Sequence, residues 1–173
     1  MPDKKLRHSI RLKHYDYSQA GAYFVTICTK DKSHLFGEIV EGLMSLNRFG
    51  EIVKTCWGDL PKHYPQMQSD VFVVMPNHVH GINVLVDLSD IGAGLKPAPT
   101  AVKRHGLSEI IRAFKTYSSR QINELRGRHG IPIWQRNYYE HVIQNENDLN
   151  EIREYIVNNP LKWDLDGDNP DNW

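Results

Sequence analysis

The sequence predicts an α+β fold in which an antiparallel sheet carries helices. Segments rich in aromatic and β-branched residues, typical of strands, alternate with longer segments whose apolar residues recur at helical spacing. No segment approaches the roughly 20 consecutive apolar residues that a membrane helix needs. The length of 173 residues suits one domain, 1–173, and with 40% hydrophobic residues the chain can bury a core.

The first predicted elements are a strand and a hairpin. Residues 21–29 follow a turn-like stretch and are rich in aromatic and β-branched side chains, which predicts a central strand. Residues 35–40 and 43–46 flank Glu41 and Gly42, and this glycine can supply the backbone conformation of a tight turn. We therefore expect a small hairpin inserted after the first strand.

A long helix and a pair of strands follow the hairpin. From Asn47 to about His63 the apolar residues have helical spacing, and Asn47 is a suitable N-cap. Residues 70–75 and 78–87 are strand-like and are joined by a Pro-Asn turn signal. We expect these two strands to pair antiparallel.

A loop and a second long helix come next. Residues 88–102 are rich in Gly, Pro and Ala without any period, which predicts a mobile loop. Ser108 is a suitable N-cap for an amphipathic helix that ends near Gly127. This helix carries much of the positive charge in the middle of the chain.

The last predicted elements are one strand and one helix. Residues 138–143 predict the strand. A helix capped by Asn145 or Asn147 then runs to about Asn159, because Pro160 cannot continue it. The order strand, helix, strand, strand, helix, strand is that of the ferredoxin-like fold, with helices on one face of the sheet. The early hairpin is an insertion and the last helix an addition to that plan.

Charge is distributed unevenly along the chain. The 21 Lys and Arg balance the 21 Asp and Glu, and a net charge of zero argues at first against nucleic-acid binding. However, residues 1–14, the basic arm, hold five basic residues against one acidic, and residues 101–130 hold seven against two. Residues 140–173 hold nine acidic residues against two basic ones. The zero is a cancellation between segments, so we expect modest, salt-sensitive affinity for nucleic acid rather than none.

The cysteines and the N-terminus indicate a cytoplasmic protein. Cys28 and Cys56 lack the CxxC spacing of a redox or zinc motif, so we interpret both as reduced thiols. The N-terminal residues are not followed by the apolar core of a signal peptide. The acidic tail, residues 161–173, either folds back on basic surface or keeps the protein in solution.

Two histidines form the clearest local motif. His78 and His80 are two apart on a predicted strand, so their side chains lie on the same face and can share a metal ion. A pair of hydrogen-bonded structural histidines has the same pattern. The motif alone therefore leaves both interpretations open.

Tyr155 and Asn159 form a second candidate pair. A spacing of four residues places them on the same side of the last helix. Leu149, Ile152 and Ile156 define the buried stripe of that helix, and both polar side chains lie on its flank. A tyrosine there can also simply anchor the helix, and Asn159 can also be a C-terminal cap.

Six ordered motifs resemble the REP-associated tyrosine transposases, which belong to the single-tyrosine HUH transposases of bacterial insertion sequences. The resemblance extends from about Ser9 to Lys162. The motifs are Ser9-Ile10-Arg11-Leu12, residues 21–29, residues 35–39, residues 73–81, residues 134–143 and residues 155–160.

The resemblance implies a role for each candidate residue. It implies that His78 and His80 are metal ligands, Asn159 the third ligand, and Tyr155 the nucleophile. It also implies single-stranded or hairpin DNA of REP-like repeats as substrate, and it leaves monomer and homodimer open. His141 and Tyr139 share one face of the last strand and are possible neighbours of the site, with a structural role as the alternative.

The chemistry of these residue types agrees with the implied reaction. Two imidazoles and one amide oxygen leave coordination positions open, which suits Mg²⁺ or Mn²⁺ better than a closed zinc site. Attack by the tyrosine would leave a 5′-phosphotyrosine and a free 3′-OH, so the reaction would be strand transfer. The basic residues expected to contact phosphate, with a solvated surface as the equal alternative, are Lys4, Lys5, Arg7, Arg11, Lys13, Arg112, Lys115 and Arg120.

Two other functions remain possible at this point. One is a domesticated DNA-binding module that has lost catalysis. The other is a metal-dependent DNA hydrolase in which Tyr155 is only structural. An adduct between DNA and protein would distinguish the transferase from both.

Overall fold

A computed structural model describes residues 15–87 and 105–172. The basic arm, 1–14, and the loop predicted at 88–102 lie outside the described residues. In the part of the chain that the structure describes, no helix is long and apolar enough to cross a bilayer.

The centre of the fold is a four-stranded antiparallel sheet. Its strands in chain order are β1 (Gly21–Cys28), β4 (Met67–Val74), β5 (His78–Leu85) and β6 (Tyr139–Ile143), and the predicted hairpin forms a separate sheet of β2 (Gly37–Val40) and β3 (Leu43–Leu46). The spatial order is β4-β5-β1-β6. The central strands are β1 and β5, which are the first and third strands of this sheet in chain order. This is the strand order of the ferredoxin-like fold. The predicted fold class is confirmed.

The helices lie between and after these strands. They are α1 (Arg48–Gly58), α2 (Leu60–His63), α3 (Leu107–Leu125) and α4 (Glu146–Asn158), and the chain continues into short 3-10 helices at Pro160–Leu165 and Pro170–Asn172. The first predicted helix is interrupted at Asp59. Pro61 explains the interruption, because it has no N–H to donate to the carbonyl of Trp57.

Helix capping follows the prediction at two of three helices. The side chain of Asn47 accepts hydrogen bonds from the backbone N–H groups of Phe49 and Gly50, and Asn145 caps α4. The prediction of Ser108 as the cap of α3 is wrong, because α3 begins at Leu107 with Gly106 as its N-cap. Leu107 is fully buried and its N–H is bonded to the carbonyl of Tyr17, which draws it into the first turn.

The two faces of the sheet carry different helices. Alternate residues of β1, such as Val25 and Ile27, pack with Phe114 of α3 and with α1 in the larger core. The other face of β1 carries Phe24, which packs against Ile156 of α4. The two helices between strands therefore share one face as predicted, and the added helix covers the opposite face.

A β-bulge in β4 shapes the face under α4. The pairing register between β4 and β5 shifts between Ser69 and Phe72. As a result two successive residues, Asp70 and Val71, both face α4: Asp70 bonds Arg153 and Val71 packs in the smaller core.

Candidate functional site

The site begins at the N-terminal end of strand β5. His78 and His80 lie on the face of β5 that α4 covers, and both side chains are buried. Their Nε2 atoms are 2.9 Å apart. The same-face arrangement that the sequence predicts is therefore present, with the two ring nitrogens directed at each other.

Neighbouring side chains fix the orientation of both rings. Nδ1 of His78 lies 2.8 Å from Oδ1 of Asn77, and the amide nitrogen of Asn77 donates to the backbone carbonyls of Lys32 and Asp168. Because Oδ1 can only accept, His78 carries its proton on Nδ1 and a lone pair on Nε2. Nδ1 of His80 lies 2.8 Å from Oγ1 of Thr26. Such partners behind a histidine are typical of metal-binding imidazoles.

Burial keeps both histidines neutral. Burial and, after it, the charge of the Lys32 ammonium lower the pKa of His78 to about 3, while the neighbouring side chain of Asn159 opposes this shift. Burial likewise lowers the pKa of His80 to about 3, with His78 as the second cause. Asp166 and Asp168 oppose the shift of His80 without reversing it. Neutral imidazole is the form that binds metal ions.

Asn159 and Asp166 complete the polar cluster. Asn159 follows α4 as its C-cap and is buried, and its amide nitrogen donates to Oδ2 of Asp166 over 2.9 Å. Its amide oxygen is buried without a hydrogen-bond partner among the described residues. Oδ2 of Asp166 lies 4.0 Å from Nε2 of His78. His78, His80 and Asp166 each offer a ligand atom within 4.8 Å of the others.

Asp166 is the residue that the sequence analysis missed. It belongs to the acidic tail, and none of the alternatives considered for that tail places a carboxylate at the histidines. In the structure the tail continues from α4 into a 3-10 helix, and Trp163 packs at a ring distance of 6.0 Å from His78. Asp168 forms an ion pair with Lys32. The described part of the tail therefore closes one side of the cluster.

Tyr155 lies beside the histidines on α4. Its Oη is 3.4 Å from Nε2 of His80 and its ring packs edge-on against His80 and Phe24. The side chain is 45% exposed, so the phenol is accessible from solvent. Burial, followed by the charges of Asp166 and Asp168, raises the pKa of Tyr155 to about 12. The phenol is therefore protonated at neutral pH.

A cavity of about 470 Å³ opens next to Tyr155. His80, Phe24 and Tyr139 form part of its wall, and Gln135, Asn137 and Tyr138 form another part. Tyr139 thus borders the cavity. His141, on the same strand, instead holds Asp148 at 3.0 Å, near the start of α4.

The predicted phosphate contacts are placed only in part. Lys4, Lys5, Arg7, Arg11 and Lys13 lie outside the described residues. Arg112 and Arg120 are exposed on α3, which packs on the opposite face of the sheet from His78 and His80. Lys115 donates to the backbone carbonyls of Gln135 and Arg136, so its ammonium is already hydrogen-bonded. Arg120 lies 3.8 Å from Glu124.

Comparison with known proteins finds two relatives of this chain by sequence. No family model matches the chain. An uncharacterized protein of Haemophilus influenzae is 43% identical over 92% of this chain and 91% of its own length. A second protein of the same organism, named "Putative REP-associated tyrosine transposase", is 29% identical over 85% of this chain and 74% of its own length.

A solved structure shares the fold. It is described as a REP-associated tyrosine transposase bound to a REP hairpin, and it superposes with a TM-score of 0.59 over 88% of this chain and 74% of its own. The two sequences are 21% identical, so this likeness concerns the fold. The sequence relative of the same name and the six motifs point the same way. The chain is therefore similar to the REP-associated tyrosine transposases, to one relative in sequence and to one solved structure in fold.

Proposed function

We propose that the protein is a metal-dependent, site-specific single-stranded DNA endonuclease and strand transferase that acts through Tyr155. The observation that carries the proposal is the position of the Tyr155 phenol, 3.4 Å from Nε2 of His80. An accessible tyrosine beside a cluster of neutral imidazoles, the form that binds metal ions, agrees with nucleophilic attack on a phosphodiester.

The residues of the cluster fit a divalent metal ion. The amide oxygen of Asn159 supports this fit. It is buried without a hydrogen-bond partner among the described residues, so it offers a free lone pair next to two imidazoles. His78, His80 and Asn159 would hold the ion, and Asp166 is within reach as a further oxygen ligand. Nitrogen and oxygen donors without thiolate suit Mg²⁺ or Mn²⁺. A bound ion would supply charge neutralisation at the scissile phosphate.

The role of Tyr155 is to form the new bond. Its oxygen would attack phosphorus and the bond from phosphorus to the 3′ oxygen would break, leaving a 5′-phosphotyrosine. The phenol would lose its proton during the attack, since its raised pKa keeps it protonated beforehand, and the departing 3′ oxygen would take up a proton. The phosphodiester is conserved in the new link, so a 3′-OH can reverse the step and join strands without a nucleotide cofactor.

The substrate we propose is single-stranded or hairpin DNA of REP-like repeats. Support comes from the resemblance to the REP-associated tyrosine transposases and from the solved structure of similar fold that is described as bound to a REP hairpin. The basic arm and the exposed arginines Arg112 and Arg120 are the candidates for contacts to phosphate.

A cleavage assay tests the proposal. Labelled hairpins from repeats flanking the gene are incubated with protein in Mg²⁺ or Mn²⁺, and the covalent adduct is resolved on a denaturing gel. We expect the wild type to form the adduct, and Tyr155→Phe to bind the hairpin equally well without forming it. Tyr117→Phe is the matched control, because Tyr117 lies on α3 with nearly the same exposure, 44%.

The alternatives give different products. A binding module without catalysis would leave every hairpin intact. A hydrolase would release a cut strand with a free 5′ end from both the wild type and Tyr155→Phe. An undiminished adduct in Tyr155→Phe would assign the nucleophile to another side chain, with Tyr138 and Tyr139 as the next candidates.

A further inference from the structure

The cavity beside Tyr155 is lined by aromatic and amide residues. The aromatic residues Phe24 and Tyr139, whose rings are 6.1 Å apart, line it together with two residues that have amide side chains, Gln135 and Asn137. No Lys or Arg of the described residues lines it. The single carboxylate at its edge, Asp168, is paired with Lys32.

The two amides are free to bind a ligand. No hydrogen bond within the described residues uses the side chain of Gln135 or of Asn137. The backbone that leads to them is nevertheless held, because the N–H of Gln135 donates to the carbonyl of Cys28 and the carbonyls of Gln135 and Arg136 accept from Lys115. Gln135 therefore lies on a fixed stretch of backbone, and Asn137 follows two residues later. Each amide presents a donor and an acceptor, the combination that pairs with the edge of a nucleobase.

We propose that this cavity holds one nucleobase adjoining the scissile phosphate, and that Gln135 and Asn137 determine which base is accepted. The inference rests on the proposed function of Tyr155. The cavity opens directly at that phenol, so a strand whose phosphate meets Tyr155 has a neighbouring base within reach of it. Tyr139 is 41% exposed and offers the ring on which a splayed base would stack.

A nucleobase fits better than the other parts of a DNA strand. A phosphate would find no unpaired cation in the described wall of the cavity. A base is planar, apolar on its faces and polar on its edge, which matches a cavity lined by aromatic and amide residues. The volume of about 470 Å³ lies within the roughly 300 to 1,000 Å³ of cavities that bind small molecules.

The first experiment measures base preference at the cut. The cleavage site is mapped with the wild type, and hairpins are then made with each of the four bases, or an abasic residue, on either side of it. We expect the wild type to prefer one base at one of these two positions by roughly tenfold or more. Asn137→Ala and Gln135→Ala should flatten that preference while the wild-type cut position is kept.

Matched controls are present in the chain. Asn147→Ala and Gln144→Ala remove the same amides from exposed positions outside the cavity, and the preference should stay unchanged in both. Equal cleavage of all four bases by the wild type would overturn the inference and leave the proposed function intact. A preference that survives in both cavity variants would overturn the role of Gln135 and Asn137.

The second experiment does not depend on catalysis. The fluorescent base 2-aminopurine is moved one nucleotide at a time along the hairpin's single strand, and its quenching on binding is recorded with Tyr155→Phe protein. One position should be quenched severalfold by stacking, and Tyr139→Leu should relieve that quenching. If the wild type forms no adduct, the proposed function fails, and this measurement still decides whether the cavity holds a base. Quenching that Tyr139→Leu does not change would overturn it.

Discussion

Arg153 of α4 and Asp70 of β4 form an ion pair that ties the helix of Tyr155 to the sheet. Nε and Nη2 of Arg153 lie 3.1 and 2.5 Å from Oδ2 of Asp70. Asp70 faces α4 because of the β-bulge at this point of β4, and Arg153 is two residues before Tyr155. The bulge and the ion pair together therefore hold α4, and with it Tyr155, in position on the sheet.

We expect loss of this ion pair to slow the reaction without weakening DNA binding. Asp70→Ala removes the carboxylate that binds Arg153, while Ile156 and its apolar neighbours keep α4 packed on the sheet. Misplacement of a nucleophile by a fraction of an ångström is costly, so the rate of adduct formation should fall about tenfold or more. Single-turnover adduct formation and hairpin affinity, measured side by side, check the prediction.

The control for this prediction is another ion pair. Lys62→Ala breaks the exposed pair of Lys62 with Asp59 on α2 and should leave the adduct rate unchanged. In the double variant Asp70→Ala with Arg153→Ala, the rate should resemble that of either single variant, because both remove the same contact. Additive losses would contradict a shared role.

Asp166 should contribute to metal affinity. Oδ2 of Asp166 lies near Nε2 of His78 and accepts from the amide of Asn159, which turns the amide oxygen away from it. Whether Asp166 acts as a ligand or by orienting Asn159, Asp166→Asn should weaken Mn²⁺ binding about 10- to 100-fold. Isothermal titration with Mn²⁺ measures this. Asp164→Asn, an exposed change in the 3-10 helix whose C-cap is Asp166, should leave the affinity as it is.

The buried histidines should make the metal-free protein sensitive to acid. Their pKa of about 3 in the folded state lies below the ordinary value of 6.5, so the unfolded chain binds more protons between these pH values. Their contribution is therefore fully present above pH 6.5 and decreases as the pH falls toward 3. At pH 5 the loss should be about 2 kcal/mol per histidine, a value set mainly by the unfolded pKa.

Urea unfolding in EDTA at pH 7 and pH 5 measures this loss. Replacing one histidine of the pair, in His80→Gln, should make the free energy of unfolding less dependent on pH. His63→Gln, at an exposed histidine on α2, is the comparison and should keep the wild-type dependence. The same dependence in His80→Gln as in the wild type would show that this ring does not carry the effect.

The strands and helices were predictable because their signals are local. Alternation in β1, the asparagine cap at Asn47 and the proline after Asn159 each depend on residues a few positions apart, and these elements are present. The start of α3 was not predictable, since the burial of Leu107 and its bond to Tyr17 are tertiary contacts. The face of the sheet that α4 covers is likewise a tertiary property.

The residues of the site likewise fall into those that the sequence could predict and those that depend on tertiary contacts. The resemblance to the transposases joined His78, His80, Tyr155 and Asn159 in one hypothesis, and the structure places them together, while their catalytic roles stay predictions. Asp166 reaches the cluster through the path of the chain after α4, for which the sequence has no local signal. The hydrogen bonds of Lys115 to the carbonyl groups of residues 135 and 136 depend on a loop far along the chain.

Gly81 should be intolerant of any side chain. It lies between His80 and Ile82, and an added Cβ would meet Cζ2 of Trp57 at 2.4 Å and Cδ2 of Phe72 at 3.1 Å. The indole has no room to retreat, because it is buried, stacks on Phe72 and donates to Ser69. Gly81→Ala should therefore cost about 1 to 3 kcal/mol of unfolding free energy.

Gly58→Ala is the matched test of this packing argument. Gly58 is the last residue of α1, and a Cβ there would meet nothing within 4 Å. An alanine at this position restricts the unfolded chain, so the variant should be as stable as the wild type or more stable by about 0.5 kcal/mol. Urea unfolding of both variants gives the comparison. If Gly81→Ala were as stable as Gly58→Ala, the contact between β5 and Trp57 would have to be looser than the structure shows, and strand β5, which carries both histidines, would be less rigidly held against α1.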